Sequence, residues 1–256
     1  MQQARLGILN LWRSLLGAIL FYTICPIPKG WQPSFHRIAR WCPLLGVIMG
    51  GILAGCFWGL SLLGISPLLN GALLVSLWLG LTGGLHLDGA MDSADGLAVT
   101  DPERRLEVMA DSATGAFGAM AGMIILLLKF AAIASMSVGQ WWLFPFTLAW
   151  ARWSQVTAIA FYPYLKAQGK GAFHKQDFNP KLDLFLSALP AIGLLILLLV
   201  THHITALPLT LGAVAIANSI SYWFNKQFTG HTGDTYGASI EWTECLLLSL
   251  GVIIPQ

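Results

Sequence analysis

Residues 68–96 read L-L-N-G-A-L-L-V-S-L-W-L-G-L-T-G-G-L-H-L-D-G-A-M-D-S-A-D-G, a strongly apolar run that ends in three aspartates. A run of this length and polarity belongs in lipid or in a protein interior. Asp88, Asp92 and Asp95 follow it at offsets of four and seven, so one face of a helix carries all three carboxylates. Like charges so placed repel one another unless a cation lies between them. Oxygen-only ligands favour Mg²⁺ or Mn²⁺ over zinc or copper, and Mg²⁺ takes one or two carboxylates together with substrate phosphates. The plainer reading is a solvated acidic cap at a helix end. Leaving three acids unpaired at the mouth of a hydrophobic segment is costly, which favours the cation.

The rest of the composition places this stretch in a membrane. Of 256 residues 56% are hydrophobic and only 10% charged, and the mean hydropathy is +0.68. Those values lie outside the soluble globular range and predict an integral membrane protein. Cys25, Cys42, Cys56 and Cys245 have no C-x-x-C spacing and read as reduced packing residues, which excludes a disulfide framework or a thiolate metal site. No cleavable signal is expected, because Asn10 and Arg13 interrupt the N-terminal apolar stretch. Without an internal repeat or a long linker, residues 1–256 read as a single membrane-embedded domain.

The fold class expected is all-α, a polytopic helical bundle. Residues 4–21 predict an amphipathic helix in the interface plane. Pro26, Pro28 and Pro33 then prevent a regular helix. Six full spans are predicted at 44–65, 67–85, 116–136, 141–162, 184–201 and 204–224, each meeting the ~20-residue length of a crossing. A C-terminal apolar run, 245–254, is short for a crossing unless its helix begins near Ser239. Loops 86–115, 163–183 and 225–242 hold Arg104, Arg105, Lys166, Lys170, Lys175, Lys181 and Lys226, and the opposite loops hold no Lys or Arg. The positive-inside rule puts all three loops in the cytoplasm.

Every Asp and Glu falls on that same side, so the function is expected at one face and not along a path through the bilayer. His86 beside the aspartates is a candidate ligand or base, or a hydrogen-bonded structural histidine. Arg105 and Asp111 in the first loop, Lys170 in the second and Asp234 in the third, within G-H-T-G-D-T-Y-G, are candidates for binding substrate. Lys129 and Arg152 are the charges inside predicted spans. Either they pair with acids near the membrane or, as a substrate-binding assignment of Arg152 would have it, they neutralise phosphate. Glu241 and Glu244 read as exposed first-turn acids of the last helix.

Taken together, G-G-L-H-L-D-G-A-M-D-S-A-D-G-L, L-E-V-M-A-D-S-A-T-G-A-F-G, the early T-I-C-P-I-P with R-W-C-P-L-L-G, and G-H-T-G-D-T-Y-G-A resemble the cobalamin synthase (adenosylcobinamide-GDP ribazoletransferase) family. The motifs follow the family's order over nearly the whole chain, and Cys25 stands where that family often has Arg. The resemblance implies a Mg²⁺-dependent phosphotransferase that joins adenosylcobinamide-GDP to α-ribazole or its 5′-phosphate and releases GMP. It implies Asp88 and Asp92 as metal ligands, and Asp95 as a third ligand or the base. The partners implied are those two substrates and the lipid bilayer, with no nucleic acid; a homo-oligomer is compatible with the sequence. Two rival readings remain at this point. One is a lipid enzyme of the CDP-alcohol phosphotransferase type, although Asp92 and Ser93 stand where that signature has A-R. The other is a cation or corrinoid transporter that uses the aspartates as a binding site.

Overall fold

The computed structural model describes residues 2–166, 171–176 and 178–254. Among them the chain is all-α, with one isolated parallel bridge between Tyr164 and His231. The α-helices are α1 (Gln2–Tyr22), α2 (Cys42–Leu62), α3 (Pro67–Thr82), α4 (Leu85–Ala98), the single turn α5 (Arg105–Val108), α6 (Ala116–Ser135), α7 (Leu143–Phe161), α8 (Pro180–Val200), α9 (Ala206–Phe228) and α10 (Gly233–Ile253). Their starts are written in the sequence. Ser66 accepts from the Leu69 amide at 3.4 Å with Pro67 in the first turn of α3, and Asn179 accepts from the Leu182 amide at 3.0 Å ahead of Pro180 in α8.

Helix α7 is the centre. Residues 143–152 and 154–159 are buried on all sides, and α2, α8, α9 and α10 pack around it. The outer surfaces of α2, α6, α8 and α9 expose Leu62, Met123, Leu127, Ile196 and Leu211. Contiguous apolar surface of that kind is the mark of a lipid-facing belt. Helix α1 is fastened beside this bundle by Ser14, whose hydroxyl donates to the His36 carbonyl at 2.7 Å and accepts from the Trp41 indole at 3.1 Å.

Among the described residues, four helical stretches are long and apolar enough to cross a membrane: 38–62, which is α2 with the short turn before it, and α6, α8 and α9. The bent pair α3–α4 would make five. The span expected over 67–85 is not one continuous helix. Helix α3 ends at Thr82 because Gly83 and Gly84 both take left-handed backbone, at φ +61° and +72°, and α4 leaves at 90° to α3. Only glycine enters that region freely. The 141–162 segment is helical as expected, but it is enclosed by other helices and carries Arg152 and Gln155 instead of a uniformly apolar surface. Nor does the last helix begin near Ser239. It starts at Gly233, so Glu241 and Glu244 lie two to three turns inside α10 and are buried.

Candidate functional site

The three loops with the basic bias meet at one end of the bundle. The first turns of α4, residues 163–166 and 171–174, and the first turns of α10 close around a cavity of about 350 Å³. Its mouth is acidic: Asp88 and Asp92 come from α4, and Asp234 from the first turn of α10. Its deeper wall is neutral, formed by Tyr22, His86, Gln155, His174 and Tyr236, all buried.

Local sequence explains the convergence. Helix α10 starts at a reciprocal cap in which the Thr232 hydroxyl accepts from the Thr235 amide at 3.3 Å and the Thr235 hydroxyl accepts from the Thr232 amide at 2.8 Å. This sets Asp234 at the positive end of the helix dipole. Helices α4 and α10 come together at Gly89, where a β-carbon would lie 2.7 Å from the Asp234 carbonyl oxygen. The second loop is held to the third by two main-chain bonds, Leu165 N to His231 O at 2.9 Å and His231 N to Pro163 O at 2.8 Å. That pairing carries Lys166 to Asp234, where its ammonium donates to Oδ2 at 3.2 Å.

The electrostatics follow from crowding. Burial, and then the charges of Asp88, Asp234 and Asp95, push the Asp92 carboxyl up to about 6, against a smaller opposing pull from Lys166. His86 is 3% exposed, and among the described residues neither of its ring nitrogens has a hydrogen-bond partner. Burial, and then the positive charges of Arg152 and Lys129, hold it well below the usual imidazole range, so it is neutral. Burial takes His174 down to about 3.

Of the residues singled out in the sequence, His86, Asp88, Asp92 and Asp234 line the cavity. Asp95 does not. Its two carboxylate oxygens accept from the Gly115 and Gly118 amides, each at 2.7 Å, and so bind the first turn of α6. The shared helical face is real but two turns long, and its far turn meets α6 before it reaches the cavity. Arg105 is likewise occupied, donating to the carbonyls of Gln227 at 2.7 Å and Val99 at 3.3 Å. Asp111 is exposed and caps its own turn, accepting from the Ala113 amide at 3.0 Å. Lys170 lies outside the described residues. Arg152 is fully buried and donates to Glu244 at 2.7 Å, while Lys129 reaches Glu241 at 2.6 Å and Glu244 at 2.5 Å. These four charges lock α6, α7 and α10 together below the cavity and do not line it. The sequence marks Lys166 only as one of the basic residues of the second loop, and it does not single out Tyr164 or Tyr236. All three stand inside loops whose motifs were noticed, but only the bridge between the loops shows which of their side chains face inward. Among the described residues no three His, Cys, Asp or Glu side chains converge tightly enough to hold a metal by themselves.

Residues 14–252 match the family model described as Cobalamin-5-phosphate synthase. Among curated proteins, the chain is 51% identical over 245 residues to an adenosylcobinamide-GDP ribazoletransferase of Trichormus variabilis, covering 94% of this chain and 97% of that one. It is 50% identical to the protein of the same name from Thermosynechococcus vestitus, over 93% and 96% of the two chains. The more distant counterpart in Desulfitobacterium hafniense is 39% identical over 92% and 95%. No solved structure matches the chain.

Proposed function

The chain belongs to the cobalamin-5-phosphate synthase family, and from that premise we propose that it joins adenosylcobinamide-GDP to α-ribazole or α-ribazole 5′-phosphate, forming adenosylcobalamin or its 5′-phosphate and GMP. A ribose hydroxyl of the acceptor attacks the phosphorus that carries the corrinoid. The bond from that phosphorus to the bridging oxygen breaks, and GMP departs with the bridging oxygen. The observation that carries this reading is the meeting of Asp88, Asp92, Asp234 and Lys166 at the mouth of one cavity, where three separate loops converge.

The mouth fits a hard cation. Three acids are close enough that their mutual charge raises Asp92, and Mg²⁺ is content with one or two carboxylates plus substrate phosphates. Asp88 and Asp92 would hold it, and the ion would neutralise the diphosphate and stabilise the charge that develops on transfer. Lys166, already paired with Asp234, supplies a second positive group at the same mouth. Asp95 acts as a positioning residue, fixing the second turn of α4 against α6. The cavity's carboxylates also provide the acceptor for the ribose hydroxyl's proton. In this reading α3 and α7 cross the bilayer with the four apolar stretches, and the mouth faces the cytoplasm of a bacterial inner membrane, an orientation that the one-sided Lys and Arg support.

The test is incubation of the purified full chain with adenosylcobinamide-GDP, α-ribazole and Mg²⁺, followed by identification of products. GMP and a complete corrinoid nucleotide are expected, and both should vanish in excess chelator. Turnover of a CDP-alcohol with release of CMP, or corrinoid flux into vesicles without nucleotide turnover, would replace the reading by one of its rivals.

A further inference from the structure

The acidic mouth accounts for phosphate chemistry, but the deeper half of the cavity does not take part in it. That half is walled by aromatic rings. Tyr22 and His174 stack at 5.7 Å, and Tyr164 and Tyr236 lie 5.9 Å apart. Tyr236 is 1% exposed, and among the described residues neither its hydroxyl nor either ring nitrogen of His86 has a hydrogen-bond partner. Buried polar atoms left unbonded are rare and costly. Gln155 contrasts with them, because its amide nitrogen donates to the Tyr22 hydroxyl at 3.1 Å and its oxygen accepts from the Cys42 thiol at 3.3 Å. The wall therefore offers flat apolar surface and a few neutral donors, with no free amide or carboxylate at depth.

Three properties narrow the occupant. A volume of about 350 Å³ is at the small end for a ligand site and excludes a corrin macrocycle. Tyr22, His86, Gln155, His174 and Tyr236 carry no carboxylate, ammonium or guanidinium, so the wall does not select a charged group. A guanine base presents several donors and acceptors along its edge, and most would go unanswered here. A benzimidazole presents an apolar rim and one unalkylated ring nitrogen that needs a single donor, which the Tyr236 hydroxyl or the His86 N–H can supply.

We propose that the deep wall of the cavity, with His86 and Tyr236 as its polar contacts, is the subsite for the planar base of the acceptor nucleoside, the benzimidazole of α-ribazole. This rests on the reaction proposed above. The base sits inward, its ribose points to the mouth, and the GDP-activated corrinoid approaches from outside.

Two measurements on the full-length protein in detergent test it. One is direct binding of α-ribazole, followed by its intrinsic fluorescence without corrinoid or metal. The other is the KM for each substrate. Tyr236→Phe keeps the ring and removes only the hydroxyl, and His86→Gln changes the other contact. Each is expected to weaken α-ribazole binding, and to raise its KM, by about tenfold, with the KM for adenosylcobinamide-GDP unchanged. Should His86→Gln not fold, the Tyr236 variant decides alone. A raised KM for adenosylcobinamide-GDP with α-ribazole untouched would give the wall to the donor's guanine and overturn the proposal while the reaction stands. Unchanged constants for both substrates would overturn it as well. If the unmodified protein forms no GMP from the two substrates, the reaction itself is wrong and the subsite falls with it.

Discussion

Replacing Gly89 by alanine tests whether the contact between the two acid-bearing helices sets the geometry of the site. A β-carbon at this position would lie 2.7 Å from the Asp234 carbonyl oxygen, 2.9 Å from its α-carbon and 3.1 Å from its carbonyl carbon. All three are backbone atoms, so no side chain can swing aside. Restoring ordinary contact at 3.4 Å from 2.7 Å requires α4 and α10 to part by about 0.7 Å. Overpacking of this kind costs about 1–3 kcal/mol. The larger effect is on chemistry, because Asp88 and Asp92 ride on one helix and Asp234 on the other, and a misplacement near 1 Å costs about 10²-fold in rate. We expect Gly89→Ala to stay helical by circular dichroism, to lose a few degrees of Tm, and to lose between about tenfold and a hundredfold in kcat/KM. Gly80→Ala is the control, since a β-carbon there meets nothing within 4 Å. Full activity in Gly89→Ala would show that this close approach does not position the acids.

The aspartates should separate by role. Asp88→Asn or Asp92→Asn is expected to abolish turnover in a protein whose Tm is unchanged or higher, whereas Asp95→Asn is expected to lower stability by about 1–3 kcal/mol, since one amide oxygen cannot serve two N–H groups as two charged oxygens do; equal melting curves for all three would contradict that division. Arg152→Ala leaves the Glu244 carboxylate with one partner instead of two in the bundle's interior, and should destabilise by about 3–5 kcal/mol; a well-folded variant with a raised KM for the activated corrinoid would instead place Arg152 on substrate. Without metal, the raised Asp92 makes the folded protein bind more protons than the unfolded chain between the ordinary carboxylate range, near 3.8, and about 6. Stability should therefore fall as pH rises through that window, and Mg²⁺ should reverse the fall; a metal-free melting temperature that climbs across it would refute the crowding of charge.

The one-sided loops were legible from Lys and Arg alone, and so was the helical face carrying Asp88 and Asp92. What the residues could not disclose was contact between distant segments. Asp95 obeys the same i+7 spacing as a cavity residue, and only the position of α6 diverts it to the Gly115 and Gly118 amides. Glu241 and Glu244 look like exposed acids because local polarity from Gly230 to Glu244 resembles a loop. Their partners Lys129 and Arg152 lie more than ninety residues away, so neither charge pair leaves a local signature. Gly83–Gly84 was visible as a pair, but hydropathy runs on smoothly to Leu87, and an average over a window cannot register a 90° turn.

The turn at Gly83–Gly84 also bears on the surrounding lipid. Helix α3 stops after 16 residues, a length of about 24 Å, against a hydrocarbon core of about 30 Å. In the topology proposed above, local thinning of the bilayer beside α3 would meet that mismatch, on the same flank where α4 leaves at 90°. The acids would then lie below the mean level of the surrounding phosphates, where a bulky, largely apolar substrate could rest against acyl chains while its diphosphate reached the site. Membranes with longer acyl chains would resist that thinning, so lipid composition would itself become a setting of the reaction rate.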